Sequence, residues 1–459
     1  IEMVRLSVEE LNFPKYDDND VIDAWKWIMS FITENDWNKR KANIEKKINL
    51  EFKETPPFSE PLTEGTLVVI KDDVIGWYLY LTYTLIFEPH RYEHFQGARV
   101  IPIFKQLGSN LDKLKEINGI EKKIKSLLKK RTSEADAILF EILTALLWSR
   151  NGYEVTFLEE KNVGKTPDIL AVKHGKSWFI ECKRQSKTAD YTYRETYKRQ
   201  KMISYINKSL MTKNLLLDIV FHVELESLPD TFLKDVLQQK INYPIVGKIV
   251  SNEKVDIWLD FVKIDQIKSH LEKYFVKSNS PMLSRLIGGK HIDNVAFTCG
   301  VHADFFRVGD CDVNNLYIND IDKAFGVYCS CDAPEAYWAK ARDIKSQVYK
   351  AMQQFDKEGT AVIHVGMETF DGPNVEKTRF EKIKETIEEI DPTKTNLRWI
   401  FCNFFQAYSP PDQDWVFDET VSIMSPYINK KSPIDKKMMI VPEDSDNAGF
   451  DSHWDRPLP

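Results

Sequence analysis

Apolar residues recur at spacings of three and four from Asp17 to about Lys53, through Val21, Ile22, Trp25, Ile28 and Ile32, a spacing that predicts helix. Glu54-Thr-Pro-Pro and Ser59-Glu-Pro break that pattern. Leu67-Val-Val-Ile and the aromatic stretch from Trp77 to Phe87 read as strand-like, and Leu111 to Lys130 reads as a lysine-rich helix. Residues 1–108 are therefore expected to form a mixed α/β domain of their own, in which no chemistry is legible.

From Ser133, a suitable N-cap, a helical pattern runs to Arg150 and stops at Asn151-Gly152. Tyr153 to Phe157 predicts a strand, Pro167 to Lys183 a hairpin, Tyr191 to Leu210 a helix and Leu215 to Val223 another strand. Asp230 to Gln239 reads as helix and Ile257 to Val262 as strand, so that residues 109–293 are expected to be a second domain. A third α/β unit, 294–459, holds a strand at Val362-Ile-His-Val-Gly, a helix from Val375 to Ile390 and a buried strand from Leu397 to Phe405. Asp418-Glu419 is expected to open a helix, where acids suit the positive end of the dipole. The segment after Pro442 reads as a loosely held polar tail.

At 459 residues the chain is too long for one ordinary core, and 42% apolar with 29% charged residues fits a folded globular protein. No apolar run approaches the ~20 residues of a membrane span, and the residues from Ile1 lack the order of a secretory signal. Six cysteines over this length make no disulfide framework, so the reducing cytoplasm is the expected compartment. A net charge of −7 excludes a uniformly cationic coat but leaves room for a local basic surface.

Candidate chemistry concentrates at Thr166-Pro-Asp-Ile-Leu-Ala-Val-Lys-His-Gly-Lys-Ser-Trp-Phe-Ile-Glu-Cys-Lys183. With His174-Gly175 as a two-residue turn, Lys173 pairs with Lys176, and Asp168 is expected to face Glu181. Opposed Cβ atoms lie about 5 Å apart, close enough for two carboxylates to share one divalent cation. Lys183, two positions beyond Glu181, shares its face of the strand. Ordinary charges at a strand end are the plainer alternative, but opposed like charges are destabilising without a cation, and magnesium prefers such oxygen ligands. On the preceding helix, Glu141 stands mid-helix on a stripe with Glu134 and Thr144, and Glu134 is the fallback should the helical register differ.

Phe140-Glu141, Gly152-Tyr-Glu-Val155, Pro167-Asp168 and Trp178-Phe-Ile-Glu-Cys-Lys183 together resemble the PD-(D/E)XK nuclease superfamily, over about residues 133–223. The resemblance implies a restriction-endonuclease-like core, a mixed central sheet flanked by helices, here with additional N-terminal and C-terminal α/β domains. It implies that Asp168 and Glu181, with the Cys182 carbonyl, ligate Mg2+, for which Mn2+ can substitute. Lys183 would orient and help deprotonate the attacking water, and Glu141 would hold a water of the metal or a second ion. Some relatives carry a Gln and a Tyr four apart in the next helix. Here Gln200 is followed by Ser204 and Tyr205, so that submotif is not met.

Arg184, Lys187, Arg194, Lys198, Arg199 and Lys201, interleaved with tyrosines, predict a nucleic-acid-binding surface beside the acids. Cys299, His302, Cys311, Cys329 and Cys331 match no compact zinc knuckle, and His364 reads as a core residue. The expected activity is a metal-dependent endonuclease hydrolysing DNA, with double-stranded DNA the first substrate class. The resemblance alone suggests a prokaryotic restriction or antiviral defence role, a homodimer and a defence-system partner subunit. A repair or structure-specific nuclease and an RNase remain open, as does, from another class, a nucleic-acid-binding sensor subunit whose nuclease fold is a relic.

Overall fold

A computed structural model describes residues 5–53, 70–129, 134–159, 166–185, 190–290, 292, 295–309, 316–341, 344–355, 359–368, 371–427, 431–442 and 452–455. Ser133, Lys187, Cys311, Leu67 to Val69 and most of the expected tail lie outside these residues. Among the described residues the strands are β1 (Arg5–Leu6), β2 (Glu154–Phe157), β3 (Ile169–Lys173), β4 (Lys176–Gln185), β5 (Leu215–Phe221), β6 (Gly247–Ser251), β7 (Val255–Phe261), β8 (Val276–Lys277), β9 (Ala296–Val308), β10 (Leu316–Cys331), β11 (Thr360–Glu368), β12 (Leu397–Tyr408) and β13 (Val416–Met424). They form two mixed sheets flanked by helices: β13-β12-β11-β4-β3-β2, and β1-β9-β10-β5-β7-β6 with β8 beside β10. No helix among the described residues is long and apolar enough to cross a membrane.

The first sheet is started by one half of the chain and finished by the other. β2, β3 and β4 are antiparallel neighbours in chain order. β4 then pairs in parallel with β11, with an unbroken register from Trp178↔Thr360 to Gln185↔Met367. The helix Pro373–Glu388 carries the chain to β12, again parallel to β11, and β13 closes the edge. Residues 190–341, between β4 and the helix Lys345–Met352 that precedes β11, contribute most of the second sheet.

The expected divisions at 108/109 and 293/294 therefore do not hold as structural breaks. The sheet of β4 takes three strands from the expected third unit, and Leu215–Phe221 joins the other sheet. The N-terminal helices do not build a core apart either. Ile28, Leu79 and Phe104 belong to the same buried cluster as Leu146, Ile180 and Phe401. Strands neighbouring in sequence often pair, but β4 and β5 take their parallel partners, β11 and β10, from later in the chain.

Two elements differ in type from expectation. Trp77 to Phe87 lies within a helix, Val74–Phe87, whose N-cap Asp73 accepts a hydrogen bond from Gly76 N at 3.1 Å. It is apolar on nearly every side, so no period distinguished helix from strand. Asp418-Glu419 lies inside β13, not at a helix start. The Glu419 carboxylate is buried and accepts hydrogen bonds from the backbone N–H groups of Met439, Ile440 and Val441 at 2.7, 2.8 and 3.0 Å, and from Asn403 Nδ2 at 2.7 Å. It thereby fastens the segment 433–442, whose Ile434, Met439 and Ile440 join the core. The same segment is held at the end of the helix Glu134–Arg150: Arg150 Nη1 donates to Met438 O and Asn151 Nδ2 to Lys436 O, both at 2.9 Å.

Replacing Glu419 by Ala removes the acceptor of these four bonds and is expected to destabilise the fold by about 3 kcal/mol or more. It should also loosen the backbone around the already exposed Lys436 and Lys437 and so speed their cleavage by trypsin. An unchanged melting temperature with unchanged tryptic cleavage would show that Glu419 does not hold this segment.

Candidate active site

The hairpin that carries the acids closes at His174-Gly175, where both residues have positive φ, 50° and 73°. That is the geometry a two-residue turn between twisted strands requires, and glycine meets it without strain. The turn pairs Lys173 with Lys176 and continues to Ile169↔Ile180. There the regular ladder ends: Asp168 N donates to Ile180 O at 3.1 Å, one position short of the expected pairing with Glu181. The Asp168 side chain crosses instead to β4, where its Oδ2 accepts from Cys182 N at 2.7 Å. The acid is thus locked to the strand that carries Glu181 and Lys183.

Four predicted groups share one electrostatic environment. Burial, then the charge of Asp168, pushes the Glu141 carboxyl up to about 7, and the same two causes push Glu181 up to about 7. Glu181 is 3% exposed, and its Oε2 is buried without a hydrogen-bond partner. Glu141, not Glu134, is the acid that the helix Glu134–Arg150 contributes. Glu134 is exposed in its first turn, and Thr144 turns to Phe140 O at 2.9 Å.

In this conformation ammonium groups sit on two of the acids. Lys183 Nζ lies 2.5 Å from Glu181 Oε1, and Lys123, from the helix Ile120–Lys129, pairs with Glu141 Oε2. Burial works against the Lys183 ammonium, but its hydrogen bond to Glu181 and that residue's charge outweigh it and raise its pKa. Lysines thus supply countercharge to two of the acids in this structure. Lys123 was not foreseen, since nothing in the sequence separates it from Lys122 or Lys125.

The donor types, though not their present placement, suit a divalent cation. The oxygens are carboxylate, Glu181 Oε2 is an orphaned acceptor, and two carboxyls are held near the point where a cation would ionise them. Among the described residues, no three His, Cys, Asp or Glu side chains form a group that could hold a metal ion. Loading would therefore need the Glu181 and Glu141 side chains to leave their lysines.

Arg184 is not on the nucleic-acid-binding surface expected of it. Alternation along β4 turns it to the face opposite Lys183, where its guanidinium pairs with Glu368 at 3.1 Å and lies 5.1 Å from the Phe405 ring centre. Glu368 is also gripped by Arg99. Arg194, Lys198 and Lys201 lie on the helix Asp190–Ser204, as predicted, but acids outside that segment meet them: Arg194 pairs with Glu226 at 2.7 Å, and Lys198 and Lys201 with Asp230 at 2.5 and 2.6 Å. Arg199 is half-buried with an unpartnered Nε. Tyr193 and Tyr197 on this helix and Tyr205 directly after it are exposed.

The other candidates have core positions. His364 is fully buried, stacks on Phe401 at 4.7 Å and takes the Trp148 indole N–H at 3.0 Å, and burial pushes its pKa down to about 3. Cys329 is buried among the apolar residues of the second sheet, Cys299 faces Gly326 across the β9–β10 ladder, and His302 is exposed beside Asp322. The chain was compared with protein-family profiles, curated proteins and solved structures, and none matched.

Proposed function

We propose that this chain is a Mg2+-dependent nuclease that hydrolyses phosphodiester bonds in DNA, with Asp168, Glu181, Lys183 and Glu141 as its working groups. The observation that carries this reading is the convergence of three acids and a lysine at one end of a hairpin, with two carboxyls raised together and one buried carboxylate oxygen left without a partner. The fold supports it as well. The acids and the lysine lie in a mixed sheet flanked by helices, in which three antiparallel strands are followed by a later strand parallel to the third.

In this reading Asp168 and Glu181 hold the cation, with the Cys182 carbonyl as a further oxygen. A bound divalent cation supplies neutralisation of the charge that builds on the phosphate and a more acidic water. Lys183, whose side chain is 26% exposed, donates to the attacking water and orients it toward phosphorus. Glu141 accepts a hydrogen bond from a water of the site once Lys123 swings away. The tyrosines and cations of the helix Asp190–Ser204 meet the backbone and bases of the strand being cut. A restriction or defence role and a dimer rest on the resemblance alone.

One observation favours a second reading, a nucleic-acid-binding sensor with a relic site: two of the acids are already occupied by lysines and no three ligands stand together. Cleavage assays separate the two. With Mg2+ or Mn2+ the protein should cut duplex DNA, single-stranded DNA or RNA, and EDTA should stop it. Asp168→Ala, Glu181→Ala and Lys183→Ala should each lower the rate by about a hundredfold to ten-thousandfold while binding persists. A Lys183→Ala protein cutting at the wild-type rate would refute the assignment, and binding without cleavage under every condition would favour the sensor.

The raised carboxyls give a linked test. Both lie above the ordinary value of 4.5, so their protonated forms favour the folded chain. That contribution is complete below about 4.5 and is lost as pH rises through about 7. A cation binds the ionised form and should restore the loss. Mg2+ should therefore raise the melting temperature more in mildly alkaline than in mildly acidic buffer, and Glu181→Gln should abolish the difference. An equal shift at both pH values would place the cation elsewhere.

A further inference from the structure

β4 turns its side chains alternately to two faces. Cys182 and Arg184 look toward the helix Glu134–Arg150 and Phe405, and Glu181, Lys183 and Gln185 stand in a row on the other face. The β4–β11 register runs unshifted to Gln185, so the row is straight, and successive members stand about 6.6 Å apart along the strand. Beside it on β11 run Ile363, Val365 and Met367, paired with Glu181, Lys183 and Gln185 in turn. All three belong to an apolar cluster with Val348 and Ile383.

Gln185 is out of place there unless something outside the described fold meets it. It is 7% exposed, and neither its amide oxygen nor its amide nitrogen has a hydrogen-bond partner. Each such orphan costs the desolvation of a polar group with no bond in return, and a methionine or leucine beside Met367 would fill the same space without that cost. Glu181 Oε2, in the same row, is the second buried orphan. The amide offers two N–H donors and one acceptor and carries no charge. Next to the Lys183 ammonium it suits a group that is anionic, accepts hydrogen bonds and is flanked by water, as a phosphodiester is.

We propose that Gln185 is a substrate-contacting residue of this site. Its Nε2 donates to a non-bridging phosphate oxygen of the strand being cut, and its Oε1 accepts from a water on that phosphate. The proposal rests on the nuclease reading given above. It adds a third working position to β4, two residues beyond Lys183, and makes the strand backbone rather than a base the group recognised there.

The test compares Gln185→Met and Gln185→Glu with the wild type in Mg2+-dependent cleavage, in oligonucleotide binding with Ca2+ replacing Mg2+, and in thermal melting. Gln185→Met should lower kcat/KM by about tenfold to a hundredfold, the worth of one hydrogen bond to a charged group. Its melting temperature should equal or exceed that of the wild type, because an orphaned amide has been removed. Gln185→Glu should bind the oligonucleotide more weakly than Gln185→Met, since it sets a carboxylate against a phosphate. A Gln185→Met protein that cuts and binds as the wild type does, or one whose melting temperature falls in step with its activity, overturns the proposal and leaves the nuclease reading standing. A wild type that cuts none of duplex DNA, single-stranded DNA and RNA overturns both.

Discussion

The parallel pairing of β4 with β11 is the contact on which the rest of the molecule depends. β4 is covered on both faces and has β3 on one edge, so without β11 a row of backbone N–H and C=O groups from Trp178 to Gln185 would be left unpaired in the interior. β11 in turn carries β12 and β13, and β13 carries the carboxylate that fastens the last described core segment. The candidate site sits at the end of this pairing, where β4 holds Glu181 and Lys183 and the hairpin delivers Asp168. Everything between, residues 190–341, is arranged around a sheet whose two halves lie far apart in sequence.

The electrostatics of the site follow from burial. Glu141, Asp168 and Glu181 are brought together where water is scarce, and charge of one sign in such a place must be met by protonation, by lysines or by a cation. Lys123 and Lys183 answer that requirement here and pull the two carboxyls down, but burial and the Asp168 charge outweigh them, so both titrate late. The arrangement is poised between countercharges.

What the sequence disclosed was local. The register of the hairpin is set by His174-Gly175 and by apolar residues on adjacent strands, within reach of a short window, and the structure pairs them accordingly. The alternation that puts Lys183 with Glu181 was equally legible. Applied one residue further it would have turned Arg184 inward, and two residues further it would have picked out Gln185. The partner of β4 was hidden because Leu215–Phe221 is as apolar as Thr360–Glu368, and nothing local says which of them crosses back. Val74–Phe87 was misread because a segment apolar all round carries no period. The acids that meet Arg194, Lys198 and Lys201 lie more than twenty residues further on, at Glu226 and Asp230, beyond any count of charges within the basic stretch.

The division of the first sheet between early and late sequence also bears on biosynthesis. Asp168, Glu181 and Lys183 leave the ribosome well before Thr360–Glu368 has been made, and the clamp on Glu419 needs residues as late as Val441. During that interval β4 has an open edge, and the acids have no completed sheet to hold them. A nascent or truncated chain that stops short of Thr360–Glu368 therefore carries these acids and the lysine without the strand that completes their sheet.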